Sequence, residues 1–419
     1  MFDKKLSLKT TVSYIKNSGY YFFSSLLVAI IGVLLNPLFA RYLSHDDYAV
    51  LGYFSSFNFL LMPLLHYSLF QYYTRQYYFI PENEREKLGN TIFCGANIVG
   101  LIALTLFMII FSFLYNLKAQ KSFSFFPYAI LIYSQLYIGN IISFYKIQLR
   151  IKRKAKRFAI YSILSCLVTS FLSVFFVVVL KNGAEGKLIG TLLATIIIAL
   201  YSLKYVCSNF KIDIVELKKA LKFCTPLTIS ALFWYGLNGV DRLFLEPLGN
   251  NVELGLYNIG LSIAGYLTIF HTTLSSTFEP DIYQAISTNN VKKIIFYIIL
   301  IVGAVAFFNI LFIALAPYII GILTAYRYND AAPYARILAL HNIVLSLYYI
   351  VVTLLVGYGY TKLELGIRVL GALLSAISYY IFIKFWQFYG AAWGQVWSFL
   401  LLSLMGIGVF ILKKNRKIV

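Results

Sequence analysis

A chain of 419 residues that is 60% hydrophobic, 18% aromatic and 12% charged, with a mean hydropathy of +0.77, lies far outside the soluble range, where about half the residues are apolar and about a quarter charged. The net charge of +20 does not read as nucleic-acid binding, because the basic residues fall in short clusters between apolar runs rather than on a soluble basic surface. What remains is an all-α integral membrane protein that crosses the bilayer many times.

A helix needs about 20 apolar residues to cross a hydrocarbon core of about 30 Å. Twelve runs meet or approach that length: 20–41, 48–72, 90–115, 125–145, 158–180, 188–205, 223–245, 254–277, 294–320, 334–356, 367–385 and 389–412. The sixth and eleventh are the shortest. Ahead of the first lie Lys4, Lys5, Lys9 and Lys16, and no small-residue cleavage site follows it, so it reads as a retained helix rather than a removed signal. Counting Lys and Arg in alternate connections puts 27 of the 36 on one side, seven of them between Lys146 and Arg157. That bias predicts both termini in the cytoplasm and an even number of helices.

The two halves echo each other. A shift of 206 places Asp47–Leu51 on Glu253–Tyr257 and brings His66 within one residue of His271; a shift of 207 places Gly183-Ala184 on Gly390-Ala391. Two like-oriented six-helix bundles follow, 1–206 and 223–419, with a cytoplasmic linker at 207–222, and in such repeats sites form where the halves face each other. Within the linker, Ile212, Val215, Leu217 and Leu221 alternate with Lys and Glu, which suits either an interfacial amphipathic helix or a plain basic connection. Thr225 followed by Pro226 reads as the start of the seventh helix, with Thr as cap and Pro at the first helical position.

Several chemistries are not expected. Cys94, Cys166, Cys207 and Cys224 form no CxxC pair and no metal spacing, so they read as packing residues. The stretch Gly183–Leu188 is the nearest approach to a phosphate loop, but Lys181 stands where its first glycine belongs and Leu188 where a hydroxyl should hold magnesium. Gly186 with Gly190, and Gly390 with Gly394, instead have the small-xxx-small spacing of close helix packing. No cofactor and no metal are expected, and the energy for any transport comes from a gradient or from the substrate's own concentration difference.

The candidate binding residues are the ionisable groups that hydrocarbon makes expensive. His66, His271 and His341 fall inside predicted spans and can take protons near neutral pH; each also reads as a neutral histidine bonded to a neighbouring helix. Arg41, Asp241, Arg242 and Arg336 sit near the outer ends of the first, seventh and tenth helices. A guanidinium fork suits phosphate oxygens, whereas interfacial snorkelling serves equally for Arg41 and Arg336, and a structural ion pair for Asp241 with Arg242. The 35 tyrosines read mainly as interfacial belts.

Read together, Lys222-Phe-x-x-Pro226, the apolar run after it, Asp241-Arg-Leu243 and Glu253-Leu-Gly-Leu-Tyr257 resemble the seventh and eighth helices of polysaccharide flippases of the multidrug/oligosaccharidyl-lipid/polysaccharide exporter superfamily. The stretch Arg41–Tyr48 is similar to that family's connection between its first two helices. The resemblance implies a multidrug-and-toxin-extrusion-like fold and no enzyme activity. It also implies flipping of an undecaprenyl-pyrophosphate-linked oligosaccharide across the bacterial inner membrane by alternating access, for O-antigen (lipopolysaccharide) or capsule biosynthesis. Proton or sodium coupling, and polymerase and chain-length partners, belong to the same expectation. Two rivals stay open: a cation-coupled multidrug exporter of the same superfamily, and a membrane-embedded polysaccharide polymerase or ligase, which would need a longer external loop than any seen here.

Overall fold

The computed structural model describes residues 4–117, 122–206 and 211–415. Among them the structure is helical without strands: α1 Lys4–Tyr42, α2 His45–Ser56, α3 Asn58–His66, α4 Leu69–Gln76, α5 Arg85–Asn116, α6 Tyr128–Ile151, α7 Ala155–Val174, α8 Gly183–Val206, α9 Ile214–Asn238, α10 Val240–Leu245, α11 Asn251–Gly265, α12 Thr268–Ser287, α13 Val291–Leu323, α14 Ala332–Gly357 and α15 Thr361–Asn415. A helix bonds its own backbone groups, which is what an apolar chain in a bilayer requires.

Eight described segments are long and apolar enough to span a membrane, from Phe23–Tyr42 to Lys362–Lys413, and α2 with α3 forms a bent ninth. The 52-residue segment Lys362–Lys413 is two helices joined at Gln387, whose backbone leaves helical space at φ 48, ψ −124. Adding α6 and α9, of 24 and 25 residues, accounts for about twelve spans, each matching a run read from the sequence.

One expected boundary is corrected. The seventh helix begins at Ile214, not at Thr225-Pro226, and Pro226 lies inside it. Thr225 does not cap; its hydroxyl donates to the Leu221 carbonyl at 2.9 Å. The reason is burial: Ala220 and Cys224 are fully buried, and Leu217 and Leu221 pack against the same core, so tertiary contacts carry the helix through a proline that forfeits one backbone bond. From Ile214 to Leu221 the stretch is accordingly a packed helical segment, with Val215 left exposed. Cys207 lies outside the described residues; Cys94, Cys166 and Cys224 are free thiols.

Contacts group the chain into two compact units. The first comprises 1–43, 61–119 and 124–229, and the second 44–60, 120–123 and 230–419. The core of the first is aromatic and aliphatic, built on Leu69, Tyr73, Ile92, Phe93, Phe144 and Leu149. The second has one cluster around Leu237, Tyr348, Leu355 and Phe399 and another around Ile282, Ile301 and Ile350. Close packing at the small-residue pairs is real: a Cβ on Gly190 would stand 2.7 Å from the Leu172 carbonyl oxygen, and one on Gly390 2.0 Å from that of Phe382.

The 206-residue offset reappears in backbone geometry. Ser44 caps α2 and Asn250 caps α11, each accepting the N–H three residues on, from Asp47 and Glu253, at 3.1 Å. Arg153 and Gly359 both take positive φ after a helix end, and Lys181 and Gln387 both take it before the last helix of each set. Local turn chemistry thus repeats with the sequence, as expected of a duplicated six-helix plan.

Candidate functional site

The second unit holds a buried charged cluster. At Gly239 the backbone leaves α9 at φ −134, and the short α10 then presents Asp241 and Arg242 inward. Their side chains are 0% and 7% exposed, with Arg242 Nη1 3.1 Å from Asp241 Oδ1. Nη1 also donates to the Asn238 carbonyl at 2.8 Å. The second carboxylate oxygen of Asp241 accepts from the Tyr257 hydroxyl and from Gln395 Nε2 at 3.2 Å, and Gln395 bonds the Tyr257 hydroxyl at 3.1 Å. The Arg242 guanidinium lies 5.9 Å from the Tyr257 ring centre. Two charges out of water are tolerable only with such partners, and here both carboxylate oxygens are satisfied.

A neighbouring polar link extends this cluster. Asn258 offers Oδ1 to Arg242 Nε at 3.4 Å and Nδ2 to the Tyr48 carbonyl at 3.5 Å. A Cβ on Gly52 would overlap the Asn258 amide at 2.0 Å, so any larger residue in α2 would have to displace that side chain from its place on α11. Tyr334 stacks on Tyr389 at 4.5 Å, meets Tyr257 edge-on at 6.0 Å and donates to Glu253.

The histidines sit in three different settings. His66 ends α3, half-buried, with Nδ1 accepting the Ser68 N–H at 3.2 Å and the ring stacked on Phe70 at 5.2 Å. An accepting Nδ1 has no proton of its own, so this turn, with positive φ at Tyr67 and Ser68, uses the neutral ring. His271 is buried, bonds Ser275 Oγ at 3.1 Å and lies 4.5 Å from Tyr349. His341, also buried, meets Phe399 edge-on at 4.8 Å, and its Nδ1 has no hydrogen-bond partner. Trp234 contacts both Tyr349 and Phe399 at 6.1 Å, so one aromatic cluster carries His271 and His341.

The two remaining arginines are exposed and at helix ends. Arg41 occupies the last turn of α1. Arg336 lies in the first turns of α14, with Nε donating to the Ile313 carbonyl at 3.1 Å. Within the second unit the structure therefore gathers Asp241 with Arg242, and His271 with His341, and leaves Arg336 apart from the buried cluster. Sequence reasoning missed Tyr257, Asn258 and Gln395, although Tyr257 lies in the quoted Glu253–Tyr257 match and an uncharged Gln within an apolar run is itself a polar signal. No group of three or more His, Cys, Asp or Glu is disposed to hold a metal among the described residues.

The fold defines a class. An inward-facing multidrug resistance MATE transporter of the MOP superfamily, 16% identical, superposes with a TM-score of 0.64 over 94% of this chain and 95% of its own. Lipid II flippase MurJ, 18% identical, does so at 0.68 over 94% of this chain and 87% of its own. By sequence, the family described as polysaccharide biosynthesis protein matches residues 14–278, so the chain belongs to that family. A protein of the Lsg locus of Haemophilus influenzae is 23% identical over 286 residues, 65% of this chain. A further membrane protein of that organism is 21% identical over 292 residues, 67% of this chain. The chain spans 66% and 68% of those two relatives' lengths.

Proposed function

We propose that this protein is a multi-pass transporter that flips an undecaprenyl-pyrophosphate-linked oligosaccharide between the leaflets of the bacterial inner membrane, for surface polysaccharide biosynthesis. The observation that carries the reading is the polysaccharide-biosynthesis family match over 14–278, on a chain whose whole fold is also that of a lipid II flippase. The polar head crosses through the protein while the lipid tail stays in the bilayer. Arg41 in the first unit and Arg336 in the second are exposed guanidinium groups whose planar fork suits phosphate oxygens. His271 and His341 in the second unit and His66 in the first are the titratable groups for substrate binding or coupling. Asp241 and Arg242 hold each other in the conformation described and position the α9–α10 break, so Arg242 reaches phosphate only if the pair opens. The cycle is driven by a proton or sodium gradient or by the substrate's own concentration difference, and a polymerase and a chain-length protein act on the product. Both termini face the cytoplasm, in keeping with the bias of 27 basic residues to one side.

Deletion of the gene is the test. Accumulation of complete lipid-linked repeat units on the inner leaflet supports the reading, whereas single units at the cell surface indicate a missing polymerase, and unchanged polysaccharide with altered drug tolerance indicates an exporter. Reporter fusions after Lys154 read cytoplasmic and after Asn250 external if the orientation is right.

A further inference from the structure

The first unit carries a groove that this transport reading does not use. It has a volume of about 590 Å³ and runs between α6, α7 and α8. Its floor and walls along the helices are apolar, with Ile160, Leu164 and Ile197 about half exposed. At one end stand four tyrosines in mutual contact: Tyr145 with Tyr161 at 4.9 Å and stacked on Tyr205 at 5.5 Å, and Tyr201 with Tyr161 and Tyr205 at 6.2 and 5.3 Å. Arg157 closes that end and is the one charged side chain among the lining residues. No carboxylate among the described residues is paired with it, and it opens a helix preceded by Lys152, Arg153 and Lys154.

We propose that this groove binds one anionic phospholipid of the leaflet at the 152–154 loop, its phosphate on Arg157 and one acyl chain along α7. Three features choose that occupant. The polar end joins a tyrosine girdle to a guanidinium, the combination that suits the headgroup boundary. The deep end holds no polar side chain beyond Ser165, whose hydroxyl is spent on the Tyr161 carbonyl at 2.7 Å. From Arg157 to Val168 the helix rises by roughly 16 Å, about half of a ~30 Å core, which is one leaflet and too short for a polyprenyl tail. An adjoining cavity of about 390 Å³ shares Tyr205 but is lined by Glu82 and Glu86 as well as Arg85 and Lys152. Its carboxylates disfavour a second phosphate there and keep the anionic head at Arg157.

The test uses the full-length protein in vesicles of phosphatidylcholine doped with a phosphatidylglycerol that carries a photoreactive acyl chain, with a phosphatidylcholine probe as control. Mass spectrometry should find the phosphatidylglycerol label concentrated on peptides of 155–174 and 183–206. Arg157→Gln should cut the preference over phosphatidylcholine by about five-fold. Leu164→Trp, which fills the groove without touching the head, should lower labelling by both lipids while the melting temperature stays put. Equal labelling by the two lipids, or labelling of α5 and α13 as dense as that of α7 and α8, would overturn the site as ordinary boundary lipid. A polyprenyl phosphate that displaces the phosphatidylglycerol probe at lower concentration would overturn the choice of occupant.

Discussion

Two ion pairs, one in each unit, show how little a distance says by itself. Lys87 and Asp213 in the first unit approach to 2.7 Å, closer than the 3.1 Å of Arg242 and Asp241 in the second. Yet the Lys87 side chain is 67% exposed and Asp213 29%, whereas the second pair is shut away. In water both members of the first pair remain solvated when it breaks, so its worth is small. In the second, breaking the pair strands a charge in low dielectric. The environment, more than the contact length, decides what each contributes. Asp213 in addition accepts the backbone N–H groups of Val215 and Glu216 at 3.1 Å, so its main task is local, at the start of α9.

The largest expected effect is therefore at Asp241. Asp241→Asn keeps the shape and leaves Arg242 without its counter-charge, which should cost about 3–5 kcal/mol and appear as low abundance and a depressed Tm in detergent. The double variant Asp241→Asn with Arg242→Gln should recover part of that loss in a double-mutant cycle. If the single variant is as stable as the parent, the two pairs are equivalent and the comparison fails.

Next come the uncharged partners of the carboxylate. Gln395→Leu removes one donor to Asp241 while Tyr257 and Arg242 stay, and a loss of about 1–3 kcal/mol follows from a buried acceptor deprived of a bond. A melting shift between that of Asp241→Asn and the parent would sharpen the picture of a cooperative cluster. No shift would show that Arg242 alone satisfies Asp241.

The histidines offer a functional counterpart. His66 and His271 fall almost at one repeat offset, but His66 serves a turn and His271 an aromatic cluster. Replacing both with Gln should preserve folding, since an amide satisfies the same neutral partners. If either titrates during transport, surface polysaccharide export should fall and lose its dependence on external pH between 6 and 8. Undiminished export in the double variant would leave His341, whose Nδ1 has no partner, as the remaining titratable candidate.

The smallest effect belongs to Asp213. Its bonds from Lys87 and from the α9 backbone hold its carboxyl below the usual carboxylate range. The sign follows from linkage: a depressed folded value gives stability that is present above the unfolded carboxylate value near 3.9 and is lost as pH falls through the folded one. Asp213→Asn should accordingly leave Tm at pH 7 nearly unchanged and remove only a slight acid sensitivity. A large drop at neutral pH would mean that the exposed pair is anchoring α9.

What could be read from the residues alone was whatever depends on local composition. Apolar runs of membrane length specify helices because the backbone has no other way to bond itself in hydrocarbon, which is why about twelve spans and the 206-residue repeat were legible. Turn chemistry was not read in advance: Ser44 and Asn250 cap at positions related by the repeat, while the one cap expected, Thr225, does not cap. Gly186 with Gly190 and Gly390 with Gly394 marked close packing because only hydrogen fits beneath a neighbouring carbonyl or, at Gly394, the Tyr379 ring. Tertiary structure decided the rest. The partners of Asp241 come from 16 and 154 residues away, and no spacing rule connects positions that distant. Helix α9 runs through Pro226 because Ala220 and Cys224 are buried, a gain that local propensity does not contain. The grouping of residues 44–60 with 230–419 likewise reflects packing of α2 on α11, with Gly52 against Asn258 as one close approach. Each of these is a balance struck between side chains remote in sequence, and burial against a particular neighbour outweighs the preference of the local chain.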